Sequence, residues 1–136
     1  MVSEAVAPTR VHQSDAGFDL TAIGKEFDRL GNIVYHTGIA VEIPQGYVGL
    51  VFPRSSVCKK AQMLTNSVGV IDSGYRGEIT MKFKPQTSYG KHGEEYLVGE
   101  RIGQLLIIPY PEIEFTEVDE LGFGERGKNG YGSSGK

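Results

Sequence analysis

The sequence predicts an all-β fold of sandwich, jelly-roll or barrel type, and three observations predict it. Apolar and polar residues alternate with period two in several runs, the pattern of half-buried strands. Glycine supplies 19 of the 136 residues, about twice its average share, which weakens helices and suits tight turns. One short segment after Pro53, around Ser56 to Met63, reads as a helix.

Taken in order, Phe18 and Leu20 alternate with Asp19, so Asp19 is expected to face away from the core. Ile33, Tyr35, Thr37, Ile39, Val41 and Ile43 interleave with Val34, His36, Gly38, Ala40 and Glu42 as one long strand run. The turn Pro44-Gln45-Gly46 leads to a strand carrying Val48, Leu50 and Phe52. Val68 and Val70 lead into a glycine-punctuated turn, and Ile79, Met81 and Phe83 lead out against Thr80, Lys82 and Lys84, which reads as a β-hairpin. Tyr96-Leu97-Val98 adds a short strand. Ile102 to Tyr110 is apolar on both faces and is expected to lie centrally in a sheet. Strands apolar on two faces also point to oligomerisation, without fixing the number of subunits.

Length gives one domain, with the segment from Gly122 onward as a glycine-rich tail. Net charge is −3, which argues against a duplex nucleic acid partner. Residues 112–125 hold six acids and no base, and the last eleven residues carry Arg126, Lys128 and Lys136 with no acid. Such a basic end is either a solvated terminus or an arm that closes on an anion. The lone Cys58 cannot form an internal disulfide. No apolar run approaches the roughly 20 residues of a membrane helix, and no signal peptide is expected. A cytoplasmic setting (that of a host, if the source is viral) is the default, with no membrane partner.

Several constellations carry chemistry. In Gly69-Val70-Ile71-Asp72-Ser73-Gly74-Tyr75-Arg76-Gly77, a carboxylate and an aromatic ring project from a turn on a rigid support. An Asp there either supports its own turn or works on a ligand. Pro53-Arg54-Ser55-Ser56 offers a planar guanidinium and hydroxyls to an anion, beside the ordinary reading of a helix cap. Gln104, set among Ile102, Leu105 and Leu106, bonds a ligand or neighbouring backbone. Gly130 to Lys136 matches two phosphate-loop patterns by letter, but no helix follows. Its glycine and serine N–H groups remain suited to wrapping a polyphosphate, with Tyr131 to stack on a flat ring. His12, His36 and His92 lack metal-ligand spacing.

Five segments in this order, Ala16 to Leu20, Pro53 to Ser56, Gly69 to Gly77, Gly99 to Leu105 and Arg126 to Gly135, resemble the five motifs of the homotrimeric dUTPases. The resemblance runs end to end. It implies a distorted jelly-roll β-barrel with one short helix over residues 1–121. Residues 122–136 would form an arm closing on a neighbour's active site in a homotrimer. It implies a hydrolase that splits dUTP into dUMP and pyrophosphate, limiting uracil in DNA and supplying dUMP for dTMP synthesis. Asp72 resembles the residue that activates the attacking water at the α-phosphate. Arg54 and Gln104 resemble catalytic phosphate contacts, with Ser55 and Ser56 beside them. Asn66 resembles the uracil-reading position, helped by Gly69, Val70, Ile71, Met81 and Lys82. Tyr75 resembles the ring that packs under deoxyribose and excludes a 2′-hydroxyl. Arg126, Tyr131, Gly132, Ser133 and Ser134 resemble the closing arm. The implied cofactor is Mg2+, carried mainly by the triphosphate and waters, so Asp19 would touch it only through water.

The chain departs from the family pattern at Gly74, where many members have an acid, and at Lys128-Asn129, Tyr131 and Ser134. The related dCTP deaminases place a catalytic Glu where this chain has Lys82, and lysine cannot perform that proton transfer. A nucleotide-sensing protein is the other alternative, and neither an insertion nor a lost motif favours it.

Overall fold

The structure is a computed structural model that describes residues 4–86, 94–132, 134 and 135. Among the described residues eight strands build two four-stranded sheets facing each other across one core. They are β1 (Phe18–Thr21), β2 (Gly24–Phe27), β3 (Ile33–His36), β4 (Tyr47–Pro53), β5 (Gln62–Leu64), β6 (Gly69–Ile71), β7 (Thr80–Pro85) and β8 (Arg101–Pro109). The first sheet runs β1-β8-β4-β6 and the second β2-β3-β7-β5, every pairing antiparallel. The doubly apolar run 102–110 falls in β8 up to Pro109, and it is central as expected, because β1 and β4 take both its edges.

Between the sheets Leu20, Ile33, Tyr35, Ile79, Met81, Phe83, Tyr96 and Ile102 are almost fully buried. Tyr35, Phe83 and Tyr96 meet edge to face, with ring centroids 5.5–6.4 Å apart, geometry that adds about 0.5–1.5 kcal/mol per pair beyond area burial. The Tyr35 hydroxyl donates to the Tyr96 carbonyl at 2.8 Å and lies 3.1 Å from Gln62 Oε1. Burial pushes its phenol up to about 12.

Four expectations are corrected. The long run from Ile33 to Ile43 is a strand only to His36, although Thr37 and Ile43 stay buried and Ile39 and Val41 pack on the core. The Thr37 hydroxyl donates to the Ile79 carbonyl, replacing a ladder bond. The helix expected over 56–63 is a single 3₁₀ turn, Ser55–Lys59, and Gln62 to Leu64 are extended as β5. Tyr96-Leu97-Val98 is no strand. Its chain turns at Leu97 to Glu100, with Gly99 at φ +95°, while Tyr96 fills the core. Finally, β6 and β7 do not pair as a hairpin. β6 joins β4, whereas β7 joins β3 and β5, so residues 72–79 cross from one sheet to the other.

Candidate active site

The first half of the site lies where β1, β8 and β4 run side by side. The registers put Asp19, Gln104 and Phe52 in one cross-strand row. Leu20 points inward, so Asp19 points out, as the alternation requires. Its carboxylate accepts from Arg54 Nε at 3.1 Å and from Arg101 Nη1 at 3.0 Å. Arg54 Nη1 also donates to the Arg101 carbonyl at 3.3 Å. Two guanidiniums are thus aimed by one carboxylate, charge-assisted contacts that fix the planar fork. Gln104 Nε2 donates to the Pro53 carbonyl at 3.0 Å, the backbone partner allowed by the sequence reading. Gly17 leaves room for the amide, since a Cβ there would collide with Gln104 Oε1. These residues, with Arg10, Asp15 and Ser55, line an open cleft of about 650 Å³.

The second half is the crossing segment after β6. Asp72 and Tyr75 are exposed, and the Asp72 carbonyl accepts from the Tyr75 N–H at 3.0 Å, closing a turn. The Tyr75 hydroxyl donates to the Glu78 carbonyl at 2.9 Å, and the hydroxyl end of the ring sits close to Gly77, where a Cβ would strike it. Glu78 is itself held, accepting from Gly38 N–H at 2.8 Å and sitting 3.1 Å from His36 Nδ1. His36 Nε2 lies 3.3 Å from Glu26. The hydrogen bond to Glu78, reinforced by Glu26, raises the His36 imidazole above its ordinary value. Burial would lift Glu78, but the Gly38 N–H and His36 outweigh it and hold the carboxyl below its usual range. Among the described residues no hydrogen bond or ion pair engages the Asp72 carboxylate. It is a free acceptor beside a fixed ring. Val70, Ile71, Asp72 and Tyr75 share one hollow of about 150 Å³.

The two halves do not meet within one chain. Gly49 pairs with Ile71, which sets Asp72 beside Val48, six residues before Arg54 along the same β4 direction. At 3.3 Å per residue that separates them by roughly 20 Å.

The remaining residues singled out in the sequence scatter around these halves. Asn66 is exposed on the turn between β5 and β6. Ser55 faces the cleft, but the Ser56 hydroxyl is 2.7 Å from Tyr96 Oη and turned from it. The Met81 side chain is sealed in the core, so it offers a ligand nothing. Lys82 Nζ lies 3.4 Å from Asp28, whose carboxyl the Asn32 amide lowers to about 2. Arg126, Tyr131, Gly132 and Ser134 are exposed, and Arg126 Nε donates to the Asn129 carbonyl at 2.7 Å. Ser133, His92 and Lys136 lie outside the described residues. The sequence reading had missed Arg10 and given Arg101 no role. Arg101 stood inside a recognised motif. Arg10 had no periodic signal, because its place depends on a single bridge between Thr9 and Asp19.

Two facing antiparallel sheets with an arginine cleft and a separate Asp–Tyr turn define a jelly-roll protein whose cleft is suited to an anionic ligand. The dUTPase family profile matches residues 3–135, and the chain belongs to that family. It is 46% identical over 105 residues to the deoxyuridine 5'-triphosphate nucleotidohydrolase of Escherichia phage T5, covering 76% of this chain and 69% of the relative. The Staphylococcus bacteriophage 80alpha dUTPase solved with dUPNHPP superposes at TM-score 0.79 with 30% identity, covering 100% of this chain and 96% of that one. The dUTPase from phage phi11 of S. aureus, in a structure described for its structural Mg(II) ion, gives TM-score 0.71 and 29% identity, covering 90% and 95%.

Proposed function

We propose that the chain is a dUTP diphosphatase in which Asp72 activates the water that attacks the α-phosphate, releasing dUMP and pyrophosphate. The observation that carries this is the unengaged Asp72 carboxylate beside Tyr75, on a segment whose far end is anchored by the Tyr75–Glu78 bond. Family membership gives the reaction class; the geometry supports the division of labour. A base free of competing partners contributes roughly 10²–10⁴-fold. Tyr75, its hydroxyl end held at Gly77 and Glu78, is the ring that would pack under the deoxyribose and exclude a 2′-hydroxyl. Arg54, oriented by Asp19, and Gln104, oriented by Pro53, take the phosphate oxygens and stabilise charge as the bond breaks. Attack by water forms the new P–O bond at the α-phosphorus, the bridging bond to the β-phosphate breaks, and pyrophosphate leaves with the electron pair.

Both Asp19 oxygens already accept from guanidiniums. Among the described residues no group of three or more His, Cys, Asp or Glu side chains could hold a metal ion. This donor set fits Mg2+ arriving on the triphosphate, with Asp19 reaching it through water. The ion, when bound, neutralises phosphate charge.

The roughly 20 Å between Asp72 and Arg54 supports a homotrimer in which one copy's Arg54 and Gln104 complete another copy's Asp72 and Tyr75. Exposed apolar side chains support the same reading: Ile107 and Ile108 on β8, then Tyr110, Ile113, Phe115, Val118, Leu121 and Phe123 beyond it. On this reading residues 122–136, with Ser133, Ser134 and Tyr131, close over the nucleotide of a neighbour, and the enzyme serves a cytoplasmic nucleotide pool.

Pyrophosphate release from dUTP, dTTP, dCTP and UTP by wild type and Asp72→Asn tests the reading. Turnover of dUTP alone, lost in the variant, is expected. Ammonia from dCTP, or full turnover by Asp72→Asn, would refute it.

A further inference from the structure

The cleft that carries Asp19 holds three guanidiniums, and they are not equivalent. Arg54 and Arg101 share the Asp19 carboxylate. Arg10 makes no ion pair among the described residues. Its Nη1 donates to the Asp15 carbonyl at 3.2 Å, and its guanidinium carbon sits 4.9 Å above the centre of the Phe18 ring. The other acid of the cleft, Asp15, is engaged elsewhere, accepting from the His12 N–H at 2.9 Å to brace its own turn. The lining side chains therefore leave one net positive charge, and among the described residues Arg10 is the cleft cation that makes no ion pair.

Its position is built. Thr9 pairs with Asp19 through two backbone bonds, so residue 10 enters the cleft beside the Arg54–Asp19 pair. Stacking on Phe18 and the bond to Asp15 then restrict a side chain that would otherwise lose rotamer freedom on binding. A planar guanidinium held this way, with most of its N–H donors unused, suits the non-bridging oxygens of a phosphate.

We propose that Arg10 is a substrate-binding residue that grips the β,γ-diphosphate portion of the triphosphate. This rests on reading the cleft as the phosphate site. Asp72 and Tyr75 line a separate hollow, and on the reading above they meet the nucleoside and the α-phosphate. The cleft of Arg10 and Arg54 therefore meets the part of the substrate beyond the scissile bond. Arg10 engages that part before and during bond cleavage alike, so it governs KM more than kcat.

The test compares wild type, Arg10→Gln, Arg10→Lys and Arg54→Gln as full chains, measuring dUTP kinetics and inhibition by pyrophosphate and by dUMP. Arg10→Gln is expected to raise KM roughly ten-fold, the order of one partly exposed charged hydrogen bond, with kcat within about two-fold. Pyrophosphate inhibition weakens in parallel and dUMP inhibition is unchanged. Unaltered KM and pyrophosphate inhibition, with Arg54→Gln impaired, would overturn the role of Arg10 and leave the cleft assignment standing. Equal weakening of dUMP inhibition would also overturn it. If Arg54→Gln is silent too, the cleft is not the phosphate site and both readings fall. Should Arg10→Gln melt early, Arg10→Lys decides: it must recover most of the pyrophosphate inhibition, and failure to do so sinks the proposal.

Discussion

Replacing Asp19 with Asn sets two effects of opposite sign against each other. The substitution removes a negative charge from a cleft proposed to bind a polyanion, which by itself strengthens binding. A phosphate held by Arg54 lies beyond the guanidinium, at least about 6 Å from the carboxylate, where an effective dielectric of 40–80 makes the repulsion about 1 kcal/mol. Against this, Asn cannot accept from both Arg54 Nε and Arg101 Nη1 as the carboxylate does at 3.1 and 3.0 Å. Arg54 then loses its fixed orientation. A misplaced charge-assisted phosphate contact costs about 1.5–3 kcal/mol. Positioning wins by about 0.5–2 kcal/mol, so KM for dUTP rises roughly 2–30-fold.

Stability moves as well. The Asp19 side chain is 16% exposed, but its partners are 26% and 46% exposed and rehydrate once released. After that discount the loss is about 1–2 kcal/mol, or roughly 3–8 °C in Tm for a domain of this size. Steady-state kinetics and thermal melts of the purified variant measure both. A KM that falls below wild type would refute the argument, because it would mean that Asp19 acts on substrate by repulsion and that Arg54 needs no anchor.

Gly77→Ala should push the Tyr75 ring off its seat, and the preference for dUTP over UTP should drop about ten-fold or more as the sugar face loosens; unchanged discrimination would count against Tyr75 as the steric filter. His36→Gln should flatten the pH profile of Tm. In wild type the raised imidazole stabilises fully below its unfolded value of 6.5, and this is lost as pH rises through the higher folded value. The lowered Glu78 contributes above 4.5 and loses its share as pH falls through its folded value. Melts across pH 5–9 (roughly the range where imidazole titrates) decide it, and equal slopes in both proteins would refute the clamp. Ser55→Ala should raise KM several-fold while Ser56→Ala, whose hydroxyl faces Tyr96, chiefly lowers Tm; the reverse pattern would contradict the geometry.

The alternation of Phe18, Asp19 and Leu20 was enough to orient Asp19, because period two leaves no other outcome once Leu20 is buried. β8 was legible as central from its unbroken apolar run, and both its edges are indeed paired, although Ile107 and Ile108 stay exposed within one chain. What was illegible depends on partners far along the chain. Residues 62–64 carry no alternation longer than one turn, so only pairing with β7 makes them a strand. Val68 to Phe83 looked like a hairpin because turn residues joined two apolar runs. Local pattern cannot say that β6 has a better partner in Val51 and Gly49 than in β7. Arg10 escaped for the same reason, since its contacts are made by an isolated bridge to Asp19.

That crossing has a functional consequence. A hairpin carrying Asp72 at its tip would be free to bend back toward the Arg54 end of its own sheet. A segment tied at one end to β4 and at the other into β7 is not, and the Tyr75–Glu78 and Glu78–Gly38 bonds tie it further. Asp72 is therefore held at the Val48 end of β4 while Arg54 stays at the other. No local motion closes roughly 20 Å. On the assembly proposed above, base and phosphate clamp meet only across an interface between copies, so catalytic competence is linked to association. Mixing an Asp72→Asn chain with an Arg54→Gln chain should then restore activity that neither has alone. Dissociation of the trimer should abolish activity before the sheets unfold.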